Sequence, residues 1–219
     1  HVLHGYFSEA KSRMFRLIER ALALISDRVL AVSPKVKADL VGYKVAPEGK
    51  IDVVFLGLDL KRFGDSVRGK GGLRKDLGLS PETPLIGIVA RLVPIKQIDL
   101  FLEAAKHILV RTPDAVFAIA GDGELRVELE TAAERLGITR NVRFLGFRSD
   151  LERIYPDLDV CCLTSANEGS PVSLIEALSC GCPVVSTDVG GVRDVLEGGR
   201  YGRMVPDKNP AALAQAVQE

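Results

Sequence analysis

What most constrains this chain is a rhythm: short runs that are apolar without interruption alternate with longer amphipathic runs along its whole length. LIGIVA (85–90), AVFAIA (115–120), VRFL (142–145), DVCCL (159–163), PVVS (183–186) and RMV (203–205) are the short runs of the second part. Five of them lack the polar alternation of a half-solvated strand, so as strands they must be covered on both faces. Between them lie helical stripes, such as Ile98, Phe101, Leu102, Ala105, Ile108 and Leu109, or Leu125, Leu129, Ala132, Ala133 and Leu136. Further helices are predicted over 171–179 and near 191–197. Continuously apolar strands joined by crossover helices predict an α/β fold with a doubly wound parallel sheet.

The first sixty or so residues show the same rhythm in shorter form. Met14, Leu17, Ile18, Ala21, Leu22 and Ile25 make one helical stripe, VLAV (29–32) and IDVVF (51–55) read as strands, and Ser33-Pro34 suits a helix start. Gly57 to Gly72 carry glycine and charge with little apolar pattern, so an inter-domain connection is expected near 58–72. Residues 1–60 then read as the C-terminal part of an incomplete Rossmann-like domain, and 61–219 as a second, nearly whole one, truncated at its end. The opening His1-Val2-Leu3 resembles the interior of a strand, which leads us to expect a beginning upstream of His1.

With 219 residues, 47% of them hydrophobic, the chain can bury a core. Lys plus Arg and Asp plus Glu number 29 each, so no overall charge draws it to nucleic acid. No apolar stretch approaches the roughly 20 residues of a membrane span, and no basic-then-apolar leader opens the chain; a soluble chain is expected. Cys161, Cys162, Cys180 and Cys182 do not match zinc-knuckle spacing and read as buried reduced thiols of a cytoplasmic protein.

In an open parallel sheet ligands settle beyond the carboxyl ends of the strands, so the residues just past each strand are the candidates. Arg91 and Lys96 come after 85–90, Gly121-Asp122-Gly123 after 115–120, Gly146-Phe147-Arg148 after 142–145, and TSANEGSPVSLIEA after 159–163. Ser170 before Pro171 predicts an N-cap with Pro at the first helical position, which leaves Glu168 in the loop and Glu176 in the second turn. The N–H groups of Gly169, Ser170 and Val172 would then collect at a helix N-terminus, where an anion is favoured. Singly, each charge reads as a solvated surface group. Together, two cations, an amide cluster and two carboxylates on one edge suit a nucleotide-sugar: the diphosphate matches Arg and Lys, and the hydroxyls match the carboxylates.

Other motifs are weak. Gly121-Asp122-Gly123-Glu124-Leu125-Arg126 has Arg126 where a dinucleotide fingerprint needs its third glycine, so a tight turn is expected. No P-loop and no G-x-S-x-G elbow exists. His1, His4 and His107 are too dispersed for a metal cage, and His107 falls on the polar side of its helix.

Five elements in chain order, SDRVLAVSPKVKADLV at 26–41, Arg91-x4-Lys96, GDGELR at 121–126, VRFLGF at 142–147 and Glu168-x7-Glu176, resemble the retaining glycosyltransferases of family 4. The resemblance runs over nearly the whole chain and implies a GT-B architecture, two Rossmann-like domains facing across a cleft. It implies that Arg91 and Lys96 hold the donor diphosphate, that Glu176 holds the ribose and Glu168 the transferred sugar, and that Glu168, Arg91 and Lys96 form the catalytic set. The amides of Gly169, Ser170 and Val172 would assist, and the loop from Phe147 to Asp150, with Arg148, would lie beside the base. His4 matches, in His4-Gly5, a donor-contacting histidine of the family. Gln97 and Ala90 depart mildly, each standing where the family often has Gly, or for Gln97 also Asn. The implied chemistry needs no cofactor and no metal, only a UDP- or GDP-sugar donor and a glycan, lipid-linked or small-molecule acceptor. Peripheral attachment of the full-length protein at the cytoplasmic face of a membrane is also implied. This chain by itself is expected to bind donor without transferring sugar. A non-catalytic nucleotide-sugar-binding module and a nucleotide-sugar epimerase remain alternatives.

Overall fold

The computed structural model describes residues 9–69 and 71–219. Chain order begins with α1 (Glu9–Ile25), β1 (Val29–Ala31), α2 (Pro34–Gly42) and β2 (Ile51–Val53), followed by α3 (Lys61–Gly64) and α4 (Leu73–Asp76). Then come β3 (Leu85–Val89), α5 (Ile98–Leu109), β4 (Val116–Ala120), α6 (Arg126–Leu136) and β5 (Val142–Gly146). The chain continues through β6 (Val160–Leu163), α7 (Val172–Ser179), β7 (Val184–Thr187), α8 (Val192–Val195), β8 (Arg203–Val205) and α9 (Pro210–Gln218).

Among the described residues, six strands form one parallel sheet in the order β5-β4-β3-β6-β7-β8. Sequence order reverses between β3 and β6, which makes that gap the topological switch point of a doubly wound sheet. Each strand divides its residues between the two faces. Ile86, Ile88, Phe117, Ile119, Cys162 and Val185 pack under α5, α6 and α9, while Leu85, Val116, Ala118, Cys161, Leu163 and Val184 pack under α7 and α8. Both faces are therefore dry, the physical reason the strands carry no polar alternation. All four thiols are free and buried.

A separate two-stranded parallel sheet pairs β1 with β2, Val29 opposite Ile51. With α2 it encloses a smaller core of Ala31, Val36, Leu40 and Ile51. Ser33 caps α2 as expected, its Oγ accepting the Val36 N–H at 3.2 Å. The pairing ends when β1 runs out, so β2 is shorter than IDVVF, and Val54 and Phe55 are exposed.

Two stretches differ in their surroundings from what their composition suggests. The α1 stripe does not enter a core among the described residues: Leu17 is 62% and Ile25 82% exposed, and Ala23 is the apolar residue that packs inward. The stretch 58–72 is also more ordered than its composition suggests. Phe63 in α3 is buried edge-on against Tyr155 at 5.9 Å. Beyond it, the buried carboxylate of Asp157 accepts the N–H groups of Gly71, Gly72 and Arg74 at 2.8, 3.0 and 2.9 Å. That carboxylate acts as the cap that α4 lacks locally.

Candidate functional site at the switch point

Because β3 and β6 flank the switch point, the loops that leave their carboxyl ends share one rim. β3 leads into Ala90 and Arg91, and the short turn Pro94–Lys96 brings Lys96 back over the sheet. Gln97 then opens α5 in a left-handed conformation, φ 44°, which explains the advantage of Gly or Asn there. With its amide oriented to satisfy its neighbours, Gln97 donates to the Thr164 carbonyl at 2.8 Å and to Asp207 at 2.9 Å, which offsets that strain. Thr164 in turn donates to the Lys96 carbonyl at 2.8 Å, and the Ala166 N–H bonds the Ile95 carbonyl at 2.9 Å. The loops after β3 and β6 are thus stitched to each other.

Arg91, Lys96, Glu168, Ser170 and Val172, all named from the sequence, line one cleft of about 250 Å3. Lys96 Nζ and Glu168 Oε1 form an ion pair at 2.6 Å, and Ser165 Oγ donates to the same oxygen at 2.6 Å. The Glu168 side chain is only 10% exposed. Arg91 is exposed, and its guanidinium has no partner among the described residues. The backbone N–H groups of Gly169, Ser170, Val172 and Ser173 likewise have none. A cleft with open amides and an unspent guanidinium is suited to an anion.

Two cavities adjoin this cleft. Arg91 also lines one of about 380 Å3, whose walls are Val89, Ala90, Gly121, Phe147 and Leu151 with Asp122 and Arg148 at the edge. Glu168 and Gly169 also line one of about 190 Å3 facing Leu30, Val32, Lys35 and Asp39. The three lie in a row, apolar at one end and charged in the middle. Arg148 does not point free into the first. Its guanidinium donates twice to Asp150, both bonds at 2.7 Å, and this pairing holds the Asp150 carboxyl down at about 2.

Ser170 is not the helix cap. α7 begins at Val172 with Pro171 in the capping position, and the Ser170 hydroxyl instead donates to the Val32 carbonyl at 3.2 Å. The competing partner comes from a distant segment. Glu176 lies in the second turn of α7 as expected, outside the lining of the three cavities, with its Oε2 accepting the Tyr155 hydroxyl at 2.9 Å. Burial pushes the Glu176 carboxyl up, opposed by that hydrogen bond and by the charge of Arg62. GDGELR forms the expected turn, closed by the Arg126 N–H on the Gly123 carbonyl at 3.1 Å, and it is tied to the loop after β3 by Leu92 N–H on the Asp122 carbonyl at 2.9 Å and Leu125 N–H on that of Leu92 at 3.1 Å. His107 is exposed, and His4 lies outside the described residues.

Sequence reasoning missed Ser165 and Tyr155, the two hydroxyls that orient the carboxylates. Ser165 stands three residues before Glu168 and was within reach of a local reading. Tyr155 is 21 residues from Glu176 and left no local signal.

The chain is similar to known proteins in both sequence and fold. Residues 70–219 match the family described as Glycosyl transferases group 1. The chain is 33% identical over 224 residues to the D-inositol 3-phosphate glycosyltransferase of Corynebacterium jeikeium, covering 97% of this chain and 53% of that protein. It is 32% identical over 200 residues to an Escherichia coli galactosyltransferase named for UDP-Gal and α-D-GlcNAc-diphosphoundecaprenol, covering 87% of this chain and 51% of that one. Among solved structures, Anabaena HepE in complex with UDP and glucose superposes with a TM-score of 0.88 at 25% identity, over 99% of this chain and 60% of that one. The chain thus spans about half the length of the curated relatives it matches. Its doubly wound sheet is a Rossmann-like unit of the GT-B type, preceded in the chain by the smaller unit of β1 and β2. Fold, strand-end chemistry and the match across 70–219 converge, and the chain belongs to the group 1 glycosyl transferases.

Proposed function

We propose that this chain supplies the donor-binding half of a retaining glycosyltransferase of family 4, one that takes a nucleotide-sugar and transfers its sugar without a bound metal or cofactor. The observation that carries the proposal is the convergence, at one switch point, of an unpaired Arg91, a Lys96–Glu168 pair and four open amides beside an apolar cavity. Arg91 and Lys96 take the diphosphate and stabilise the charge that develops on it as it leaves. Arrival of the diphosphate draws Lys96 away from Glu168 and frees that carboxylate to accept from sugar hydroxyls. Glu176 accepts from the ribose, and the base lies against the apolar walls near Phe147. There only the backbone of Arg148 is available, since its side chain is committed to Asp150.

Uridine is the favoured base because HepE is a UDP-bound neighbour; a GDP-sugar is the competing donor. The acceptor is a glycan, a lipid-linked sugar or a small polyol, in line with the names of the two relatives. Transfer belongs to a protein that includes an acceptor-side unit, working in the cytoplasm at or near a membrane face. No described helix is long and apolar enough to cross a membrane. Glu168 paired with Lys96 in the cleft, with Glu176 one turn into the helix that follows it, favours a transferase over a binding module or an epimerase.

Calorimetric titration of UDP, GDP and uridine in EDTA tests the reading. Arg91→Ala or Lys96→Ala should weaken UDP by about 2–5 kcal/mol and leave uridine nearly unchanged. Equal losses for both ligands would show that these side chains serve the fold.

A further inference from the structure

We propose that Tyr155 is a positioning residue for the donor site: its hydroxyl, donated to Oε2 of Glu176 at 2.9 Å, fixes that carboxylate and leaves Oε1 to accept from a ribose hydroxyl. The inference rests on the assignment of Glu176 to the ribose. Tyr155 is fully buried beneath α7, with Phe63 edge-on to its ring at 62°. A buried tyrosine ring packed in this way has little rotational choice, so its one polar atom emerges at one place. That place is within hydrogen-bond reach of Glu176 Oε2. Among the described residues no other hydrogen bond reaches the Glu176 carboxylate.

The contact also bears on which form of Glu176 the site presents. An ionised carboxylate offers acceptors on both oxygens, whereas a protonated one presents a donor to the hydroxyl it should receive. Burial favours the protonated form. The groups facing Glu176 are Arg62 from α3, Tyr155, Cys161 from β6 and Cys180 at the end of α7. Burial keeps both thiols protonated and neutral. Arg62 shares its charge with Glu152 at 3.5 Å and stacks on Phe63 at 4.6 Å. The Tyr155 hydroxyl is therefore the direct contact that favours the ionised form of Glu176 against burial and fixes its aim.

Tyr155→Phe keeps the ring and removes the donor. Binding of UDP and 2′-deoxy-UDP to the full chain, from mild acid to neutral pH and with Glu176→Gln as reference, reads the effect. UDP should weaken roughly three- to tenfold and 2′-deoxy-UDP much less. The acid limb of UDP binding should also move to higher pH, because a Glu176 without its donor takes up a proton more readily. Equal weakening of both nucleotides with an unmoved acid limb means the hydroxyl only supports the fold, and overturns the proposal. If wild type prefers UDP to its deoxy analogue and Tyr155→Phe changes neither ratio nor limb, the proposal alone is wrong. If wild type shows no such preference and Glu176→Gln is silent, the assignment of Glu176 fails and takes the proposal with it. Should Tyr155→Phe not fold, 3-fluorotyrosine at position 155, a stronger donor, must shift the acid limb to lower pH; an unchanged limb refutes the proposal.

Discussion

Replacing Gly190 by alanine tests whether the Glu168 loop is held from behind. Gly190 sits at φ 51°, where a β-carbon costs roughly 1–2 kcal/mol. That β-carbon would stand 1.9 Å from the Glu168 carbonyl oxygen and 2.8 Å from Oδ1 of Asn167. The Asn167 amide can turn aside. The carbonyl cannot, because it belongs to the backbone and accepts the Gly191 N–H at 2.9 Å. Relief requires the loop itself to shift, at a further cost of about 1–3 kcal/mol. Gly137 is the internal control, since it has φ 74° with nothing within 4 Å of its added β-carbon. Gly137→Ala should lose about 1–2 kcal/mol, the conformational part alone, and Gly190→Ala about 2–5 kcal/mol. Urea unfolding followed by circular dichroism, with unchanged slopes, measures both. If Glu168 holds the donor sugar as proposed, a loop shift that disturbs its pairing with Lys96 and Ser165 should also weaken the proposed nucleotide-sugar donor, with UDP-glucose as the probe, in Gly190→Ala and not in Gly137→Ala. Losses that agree within about 0.5 kcal/mol would refute the steric reasoning.

Two further outcomes are expected. Asp157→Ala leaves the Gly71, Gly72 and Arg74 N–H groups without their shared acceptor and should cost about 3–5 kcal/mol in urea unfolding; a loss under about 1 kcal/mol would mean that water replaces it. The Asp150 carboxyl, lowered from 3.8 to about 2 by Arg148, stabilises the fold above its unfolded value and ceases to do so as pH falls through about 2. Stability should therefore decline across that acid window, and Asp150→Asn should flatten the decline in urea midpoints; an unaltered acid profile would count against the pairing.

The strands of the large sheet were legible to within a residue because burial on both faces leaves an apolar run that a helix pattern does not imitate. Parallel topology made the site legible as well, since it carries every strand end to one rim, and so Arg91, Lys96 and Glu168 meet there. Local chemistry was less reliable where a distant partner competed. Ser170 bonds Val32 rather than capping α7, and Phe63 anchors a stretch whose composition looks like a linker. The α1 stripe does have a helical period, but periodicity specifies a face and not what lies against it.

The anchoring of Phe63 and the Asp157 carboxylate also determines where the backbone can pivot. Residues 61–76 travel with the large sheet, tied by the Tyr155 ring contact and three hydrogen bonds to one carboxylate. Residues 29–53 travel with the small sheet, and the Val54 N–H bonds the Ala31 carbonyl at 2.8 Å. Between these two sets of anchors the exposed backbone narrows to 54–57, since Leu60 already packs against the large-sheet core, and the Ser170–Val32 bond at 3.2 Å is a direct tie from one sheet's loops to the other's.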